Sequence, residues 1–207
     1  MTEYLVPYES AESEFEEKRS RFISHVFLVE SEAEARARID EMKKKYYDAR
    51  HNCWCFVLHD GTVRYGDDGE PQGTAGQPML NVFQRENVEN VVCIVTRYFG
   101  GILLGAGGLV RAYSSGAADA VKAAGVEKHI PGALIALRCD YSRYGAIESL
   151  IAKSNAAITE SEFTDEIRLS ISCAKEDADS ITKAIIERTD GRCKPELAGE
   201  CELVLPQ

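Results

Sequence analysis

A glycine-rich stretch between an apolar run and a helical pattern constrains this chain more than any other feature. The run of β-branched residues at 91–95 predicts a buried strand. Gly101, Gly105, Gly107 and Gly108 then follow within eight positions. Glycines allow the backbone to adopt a positive φ or to approach another group closely. The stretch therefore predicts a strand, an ordered loop and a helix rather than a surface loop.

The residues after these glycines predict a helix with a narrow buried face. Mostly small residues recur there at spacings of three and four, at Leu109, Ala112, Tyr113, Gly116, Ala117, Ala120, Val121 and Ala124. Such a helix should pack closely on the sheet, with its first N–H groups pointing outward from its positive end. An anion, above all a phosphate, is the ligand that this end of a helix favours.

A second unusual loop covers residues 66–78. It holds four glycines, two prolines and three carboxylates in thirteen positions, which predicts an ordered loop of specific turns. Its candidate functional residues are Asp67, Asp68, Glu70 and Thr74. The acids lack the oxygen spacing of a calcium loop, so turn formation and helix capping are favoured over a metal. We expect no metal site.

Composition narrows the class of protein. The net charge of -10 argues against binding nucleic acid through overall charge, although a local basic patch is compatible with it. The seven cysteines are scattered without a C-x-x-C pair, which predicts reduced, buried thiols rather than disulfides or zinc. No window resembles a membrane span or a secretory signal, so we expect a cytoplasmic protein without membrane contact.

The N-terminal part offers a cationic cluster and a clear helix start. Lys18, Arg19 and Arg21 lie together before a predicted strand at 22–29, either as a solvated edge or as part of a contact surface. Ser31 and Glu34 have the spacing of a capping box and predict a helix that begins there. The strand at 52–58 places Cys53 and Cys55 on one face and Trp54 and Phe56 on the other, as core residues.

The C-terminal part predicts a second domain. The pattern breaks at 126–132, and we expect a strand at 133–140, a helix, strands at 156–163 and 166–173, a second helix stopped by Gly191 and a last strand at 193–204. This βαββαβ order is that of a ferredoxin-like sandwich. We place the domains at 1–130 and 131–207.

Two motifs resemble a known family. The strings DDGEPQGTAGQP (67–78) and RYFGGILLGAGGLVRAYS (97–114) closely resemble the IMPACT family, also called YigZ or UPF0029. The resemblance covers about 15–125, and the C-terminal unit is similar to the small domain of bacterial members. It implies an α+β chain whose first domain is a left-handed βαβ-type two-layer sandwich, as in the fourth domain of elongation factor G and the GHMP kinases. The second domain would be ferredoxin-like, as is the fifth domain of that factor.

The resemblance also implies a setting. Family members are associated with translation, and the eukaryotic protein restrains the kinase that phosphorylates initiation factor 2 by competing for that kinase's activator. Bacteria lack this pathway, so only the theme transfers. We expect a binding protein without turnover or cofactor, whose partner is RNA, the ribosome or a translation-associated protein.

Three hypotheses follow. In the first, an anionic partner binds at Arg97, Tyr98, Gly105, Gly107, Gly108, Arg111 and Ser114, extended by Lys18, Arg19 and Arg21. Arg111 could instead pair with Asp67 or Asp68. In the second, the chain is an enzyme acting on a phosphorylated small molecule or nucleotide, although the lysine and threonine of a Walker loop are missing and no catalytic residue is identifiable. In the third, both glycine-rich stretches are purely architectural.

Overall fold

The chain folds into two compact α+β units. The computed structural model describes residues 3–205. Tyr4–Lys128 form one unit and His129–Leu205 the body of the other. Within residues 3–205, no helix has the length and apolar character needed to cross a membrane. The predicted two-domain α+β fold is confirmed.

The first unit is a five-stranded antiparallel sheet with helices. The elements in chain order are β1 (Tyr4–Pro7), β2 (Ala11–Glu17), β3 (Ser20–Leu28), α1 (Glu32–Lys45), β4 (His51–Val57), β5 (Val63–Gly66), α2 (Gly76–Glu86), β6 (Val91–Tyr98) and α3 (Ala106–Ala124). The central strand of the sheet, β6, is the one predicted from the β-branched run, and the spatial order of the strands is β2-β3-β6-β4-β5.

Strand alternation divides this unit into two cores. Cys53 and Cys55 pack with α2 and α3 on one face, whereas Trp54 and Phe56 pack with α1 on the other. The predicted stripe of α3 is confirmed, because all eight of its members are buried. The stripe needs small residues where the helix meets the sheet, since a Cβ at Gly116 would lie 2.5 Å from Ser24 Oγ of β3. The helix therefore lies close against the sheet, and its N-terminus is fixed beside the end of β6.

Helix α1 begins where its capping box predicts. Ser31 Oγ accepts a hydrogen bond from the Glu34 N–H at 3.3 Å. Glu34 Oε2 in turn accepts from the Glu30 N–H at 2.9 Å. Lys43–Lys45 form the last turn, where cations interact favourably with the helix dipole. These local contacts explain why α1 was predictable from the sequence.

The sequence did not predict the hairpin around Lys18 and Arg19. The cationic cluster was expected only to precede a strand, whereas β2 and β3 pair as an antiparallel hairpin. Lys18 and Arg19 form its two-residue turn with φ values of 49° and 63°. Positive φ at both positions is typical of a type I′ turn, which usually contains asparagine and glycine. Two basic residues gave no such signal, so the hairpin was not predicted.

The second unit has the predicted ferredoxin-like topology. The elements are β7 (Val126–Cys139), α4 (Tyr141–Ile151), β8 (Ala156–Phe163), β9 (Ile167–Ala174), a short 3-10 turn (Lys175–Asp177), α5 (Ala178–Arg188) and β10 (Glu196–Leu205). The strand order β10-β7-β9-β8 and the βαββαβ sequence of elements confirm the prediction. Gly191, after α5, has a φ of 71° and its N–H donates to the Ile186 carbonyl, as a helix stop requires.

The predicted break at 126–132 is instead strand. β7 begins at Val126 and runs through Pro131, a residue that cannot donate a ladder hydrogen bond. The pairing of β7 with β9 begins only at Gly132, so Pro131 lies outside that ladder. Gly132 is required by packing, because a Cβ there would lie 2.7 Å from Cys201 Sγ. Pro and Gly indicated an interruption where the strand in fact continues.

Candidate anion-binding site

Asp67 organises the glycine- and proline-rich loop and caps α2. Its Oδ1 accepts hydrogen bonds from the N–H groups of Ala75 and Gly76 at 3.1 and 2.8 Å, and its Oδ2 accepts from Gly73 at 2.8 Å. The N-cap position itself is Ala75, whose side chain cannot accept a hydrogen bond. Asp67 therefore supplies, from eight and nine residues upstream, the acceptor that the start of α2 lacks.

Asp68 and Thr74 also hold the loop. Asp68 Oδ1 accepts from Lys43 Nζ at 2.7 Å, and Oδ2 accepts from the Asn52 N–H at 2.7 Å. Thr74 Oγ1 donates to the Pro71 carbonyl at 2.6 Å. With these acceptors occupied by α1, β4 and the loop itself, the alternative in which Arg111 pairs with Asp67 or Asp68 is wrong.

Glu70 lies at the centre of a buried polar cluster. It is 8% exposed, and its Oε1 accepts from Arg97 Nη1 at 2.6 Å and from the Tyr113 hydroxyl at 2.8 Å. Burial, with Cys53 and Glu70 nearby, raises the pKa of Tyr113 well above its ordinary value, so its hydroxyl stays a neutral donor. Arg97 is 5% exposed and also donates to Ser20 Oγ at 3.4 Å. Its charge is therefore matched internally by Glu70.

Cys53 belongs to the same cluster as a structural thiol. Its Sγ donates to the Asp67 carbonyl at 3.0 Å. Burial is the main cause that raises the pKa of this thiol far above its ordinary value. A thiol held neutral is a poor nucleophile. Six of the seven cysteines are buried, as the sequence predicted for most of them.

The N-terminus of α3 is left without a cap by its own sequence. Gly105 is the N-cap residue with a φ of 72°, and no side chain accepts from the first turn. The first helical bond runs from the Leu109 N–H to the Gly105 carbonyl at 3.0 Å. Among residues 3–205, nothing accepts from the N–H groups of Ala106, Gly107 and Gly108. These groups form the positive end of a 19-residue helix.

The charges around this helix end are the reverse of the usual pattern. Acidic side chains normally occupy the first turn of a helix, yet the first turn of α3 contains none. Arg111 instead lies over it, with Nη1 3.6 Å from the position that a Cβ of Gly107 would take. A cation at the positive end of a dipole is unfavourable for the isolated helix. This arrangement favours an external anion.

A cavity of about 320 Å³ opens beside this helix end. Its wall combines Gly105 and Ala106 with Arg50, His51, Glu70, Arg97 and the apolar residues Phe99, Leu103, Leu104 and Leu109. The Arg50 guanidinium lies 5.7 Å from the centre of the Phe99 ring. In the described part of the chain Arg50 forms no ion pair, so it is an exposed, uncompensated cation at the cavity. Backbone donors, a free cation and an apolar wall thus meet in one place.

The structure brings some of the predicted site residues to this cavity. Gly105 lines it, and Gly107 and Gly108 follow in the first turn of α3. Arg97 lines it as well, with its charge directed to Glu70. The turn at Lys18 and Arg19 contacts the loop before α3, because a Cβ at Gly100 would lie 1.9 Å from the Arg19 carbonyl oxygen.

Other predicted residues lie elsewhere. Tyr98 is on the opposite face of the sheet from Arg97 and donates to Asp48 Oδ1 at 2.8 Å. Ser114 Oγ donates to the Pro78 carbonyl at 3.4 Å and serves the contact between α2 and α3. Arg21 forms a two-point ion pair with Glu14 across the hairpin.

Arg50, His51 and Phe99 line the cavity but were not among the predicted site residues. Arg50 precedes β4, His51 is the first residue of β4, and Phe99 directly follows β6. A signal existed for Phe99, since it lies inside the motif RYFGG, but Arg50 has no local pattern. Its role depends on the antiparallel pairing that sets His51 opposite Arg97.

The fold and the cavity define a class: two α+β units, of which the first presents an uncapped, glycine-rich helix end beside a central antiparallel strand. Family models agree with this division. Residues 18–121 match the Impact N-terminal domain, and residues 137–192 match a domain of unknown function, DUF1949. The chain belongs to the IMPACT family.

Two bacterial relatives match nearly the whole chain, and a eukaryotic relative matches less than half of it. An IMPACT family member of Haemophilus influenzae is 37% identical over 196 residues, 93% of this chain and 95% of the relative. The IMPACT family member YvyE of Bacillus subtilis is 34% identical over 191 residues, which are 91% of this chain and 88% of YvyE. A Dictyostelium discoideum IMPACT homolog is 38% identical over 95 residues, which are 43% of this chain and 27% of that protein.

A solved structure has the same fold. It is described as the crystal structure of an hypothetical protein and is 29% identical, with a TM-score of 0.60. The match covers 94% of this chain and 97% of that one. The likeness therefore includes both units, whereas the match to the Dictyostelium discoideum protein is limited to less than half of the chain.

Proposed function

We propose that this protein is a binding protein of the translation apparatus whose first unit holds a phosphate of RNA in the cavity beside α3. The observation that carries the proposal is the uncapped N-terminus of α3, with the N–H groups of Ala106, Gly107 and Gly108 unpaired. Phosphates are the ligands that such helix ends bind best. The resemblance to translation-linked IMPACT proteins supports the setting.

The walls of the cavity favour a nucleotide over a bare ion. Phe99 is 39% exposed and Leu103 is 81% exposed, so an aromatic ring and an aliphatic side chain are available at the rim. Single-stranded RNA is commonly bound by a basic group on the backbone and apolar or aromatic contacts to the bases. Arg50 supplies the basic group, and the turn at Lys18 and Arg19 extends the positive surface.

The overall charge of -10 limits the proposal to a local contact. A few phosphates near Arg50 and the α3 N-terminus would be bound, rather than a long stretch of backbone. We therefore expect a weak salt dependence: the logarithm of the binding constant should fall with the logarithm of the salt concentration by about -0.7 per phosphate contacted on a single strand.

The test is binding of a fluorescent single-stranded RNA of about 12 nucleotides, within the site sizes seen for single-strand binders. Affinity is measured by anisotropy between about 50 and 200 mM salt. We expect Arg50→Ala to weaken binding and reduce the salt slope by about one contact. Arg36→Ala is the matched control, because it removes the same charge from α1 on the opposite face of the sheet. Equal affinities for the two variants would contradict the proposal.

The second candidate, an enzyme acting on a phosphorylated small molecule, is favoured by one feature. His51 lines the same cavity with Nε2 3.8 Å from Glu70 Oε2, so a base and a carboxylate adjoin the proposed phosphate position. Incubation with nucleoside monophosphates, followed by chromatography, distinguishes the two. Turnover lost in a His51→Phe variant would favour the enzyme, and unchanged nucleotide with retained binding would favour the binding protein.

A further inference from the structure

His51 is a nearly buried side chain with one nitrogen left without a hydrogen bond. The residue is 9% exposed, and its Nδ1 lies 2.8 Å from the Asp68 carbonyl oxygen. A carbonyl oxygen can only accept, so of the two neutral tautomers this contact selects the one that carries the proton on Nδ1. In that tautomer Nε2 presents a lone pair. Its nearest ionic neighbour, Glu70 Oε2, is 3.8 Å away, beyond hydrogen-bond distance.

Glu70 offers a second free acceptor beside it. Oε1 is occupied by Arg97 and Tyr113, but no residue within 3–205 donates to Oε2. Both His51 and Glu70 line the cavity. The cavity thus has an acceptor side made by these two residues, and a donor side made by the N-terminus of α3 and Arg50.

A metal does not explain the acceptor side. Within the described residues, no group of three His, Cys, Asp or Glu side chains is placed to hold an ion. The remaining acids of the loop are occupied, because Asp67 and Asp68 accept from backbone N–H groups and Lys43. A phosphate oxygen does not suit this side either, since Glu70 carries negative charge. The matching ligand group is a neutral hydroxyl that donates a hydrogen bond.

We propose that His51 Nε2, with Glu70 Oε2 beside it, accepts a hydrogen bond from a ribose 2′-hydroxyl and thereby selects RNA over DNA. The inference rests on the proposed function, because the phosphate of the same nucleotide is held at the donor side. The cavity of about 320 Å³ falls within the range of roughly 300–1,000 Å³ that small-molecule sites occupy. The 2′-hydroxyl is the group by which proteins distinguish the two nucleic acids.

The test compares three oligonucleotides of about 12 uracil nucleotides that differ only at the 2′ position: ribose, deoxyribose and 2′-O-methylribose. Anisotropy is measured with the full chain at one salt concentration. One hydrogen bond of ordinary strength predicts that the ribose form binds about threefold to tenfold more tightly than the other two. In the His51→Phe variant, which keeps a ring but no nitrogen, we expect the three affinities to converge within twofold. His51→Gln, whose amide offers both a donor and an acceptor, should retain the preference.

The outcomes separate this inference from the proposed function. Equal binding of the three oligonucleotides by the unsubstituted protein, with Arg50→Ala still weakening all of them, overturns the role of His51 and leaves the phosphate site intact. A ribose preference that persists in His51→Phe overturns it too. If none of the three binds, both proposals fail. Should His51→Phe not fold, as judged by the fluorescence of Trp54, the comparison on the unsubstituted protein and on His51→Gln still decides.

Discussion

Substituting Glu70 tests whether Arg97 is a structural cation. In Glu70→Gln the side-chain volume is nearly unchanged, and the amide oxygen can still accept from Tyr113. The carboxylate that matches Arg97 is lost, however, and both partners of this pair are buried, with side-chain exposures of 3% and 6%. Breaking a buried pair from one side leaves an uncompensated charge and costs about 3–5 kcal/mol. We expect the free energy of unfolding to fall by this amount.

The measurement is a urea titration followed by Trp54 fluorescence. Trp54 is the single tryptophan of the chain and lies in the first unit, so its signal reports the unfolding of that unit. The double variant Glu70→Gln with Arg97→Met removes both charges. We expect the double variant to lose at least about 2 kcal/mol less free energy of unfolding than the two single variants lose in sum, because no unpaired charge remains in it.

A matched control comes from an exposed ion pair. Glu32 pairs with Arg36 one turn along α1, and both side chains are more than one third exposed. Glu32→Gln should cost no more than about 0.5 kcal/mol. If Glu70→Gln cost as little as this control, the pairing of Glu70 with Arg97 would not stabilise the fold, and Arg97 would be available to a ligand after all.

Three further predictions follow from single contacts. Asp67→Ala removes the acceptor of three backbone N–H groups and should cost about 1–2 kcal/mol in the same urea titration, and an unchanged midpoint would contradict its capping role. Burial lowers the pKa of His25 despite the nearby Glu12. The free energy of unfolding should therefore keep its full contribution from neutral His25 above pH 6.5, the ordinary pKa of histidine, and decrease as the pH falls below that value. His25→Gln should flatten that slope between about pH 7 and 5, and an equal slope in both proteins would refute the assignment. Gly107→Glu adds an acid to the first turn of α3, so the melting temperature should rise and the RNA affinity should fall. A lower melting temperature together with a higher RNA affinity would exclude an anion site.

Local patterns made much of the fold predictable. The spacing of three and four residues identified every buried member of the α3 stripe, because a helix fixes which residues share a face. The Ser31 cap and the Gly191 stop were predictable for a similar reason, since each depends on residues close in sequence. The order of elements in the second unit then followed from such local assignments.

The candidate site was only partly predictable, because its contacts join distant segments. Glu70 and Arg97 are 27 residues apart, and only the folded sheet brings them together. A free arginine looks the same in sequence as a paired one, so Arg97 was expected to contact a ligand, whereas Arg50 was overlooked. The hairpin turn at Lys18 and Arg19 lacked the residues that normally indicate its type.

The most direct test of the phosphate site follows the amide signals of α3 by NMR. A ¹⁵N-labelled sample is titrated with inorganic phosphate, with Arg50→Ala as the comparison. We predict saturable downfield shifts of the amide protons of Ala106, Gly107 and Gly108, weakened in the variant, because these N–H groups would donate to the anion. Saturable shifts confined to other residues, or no shift of these three, would contradict the account.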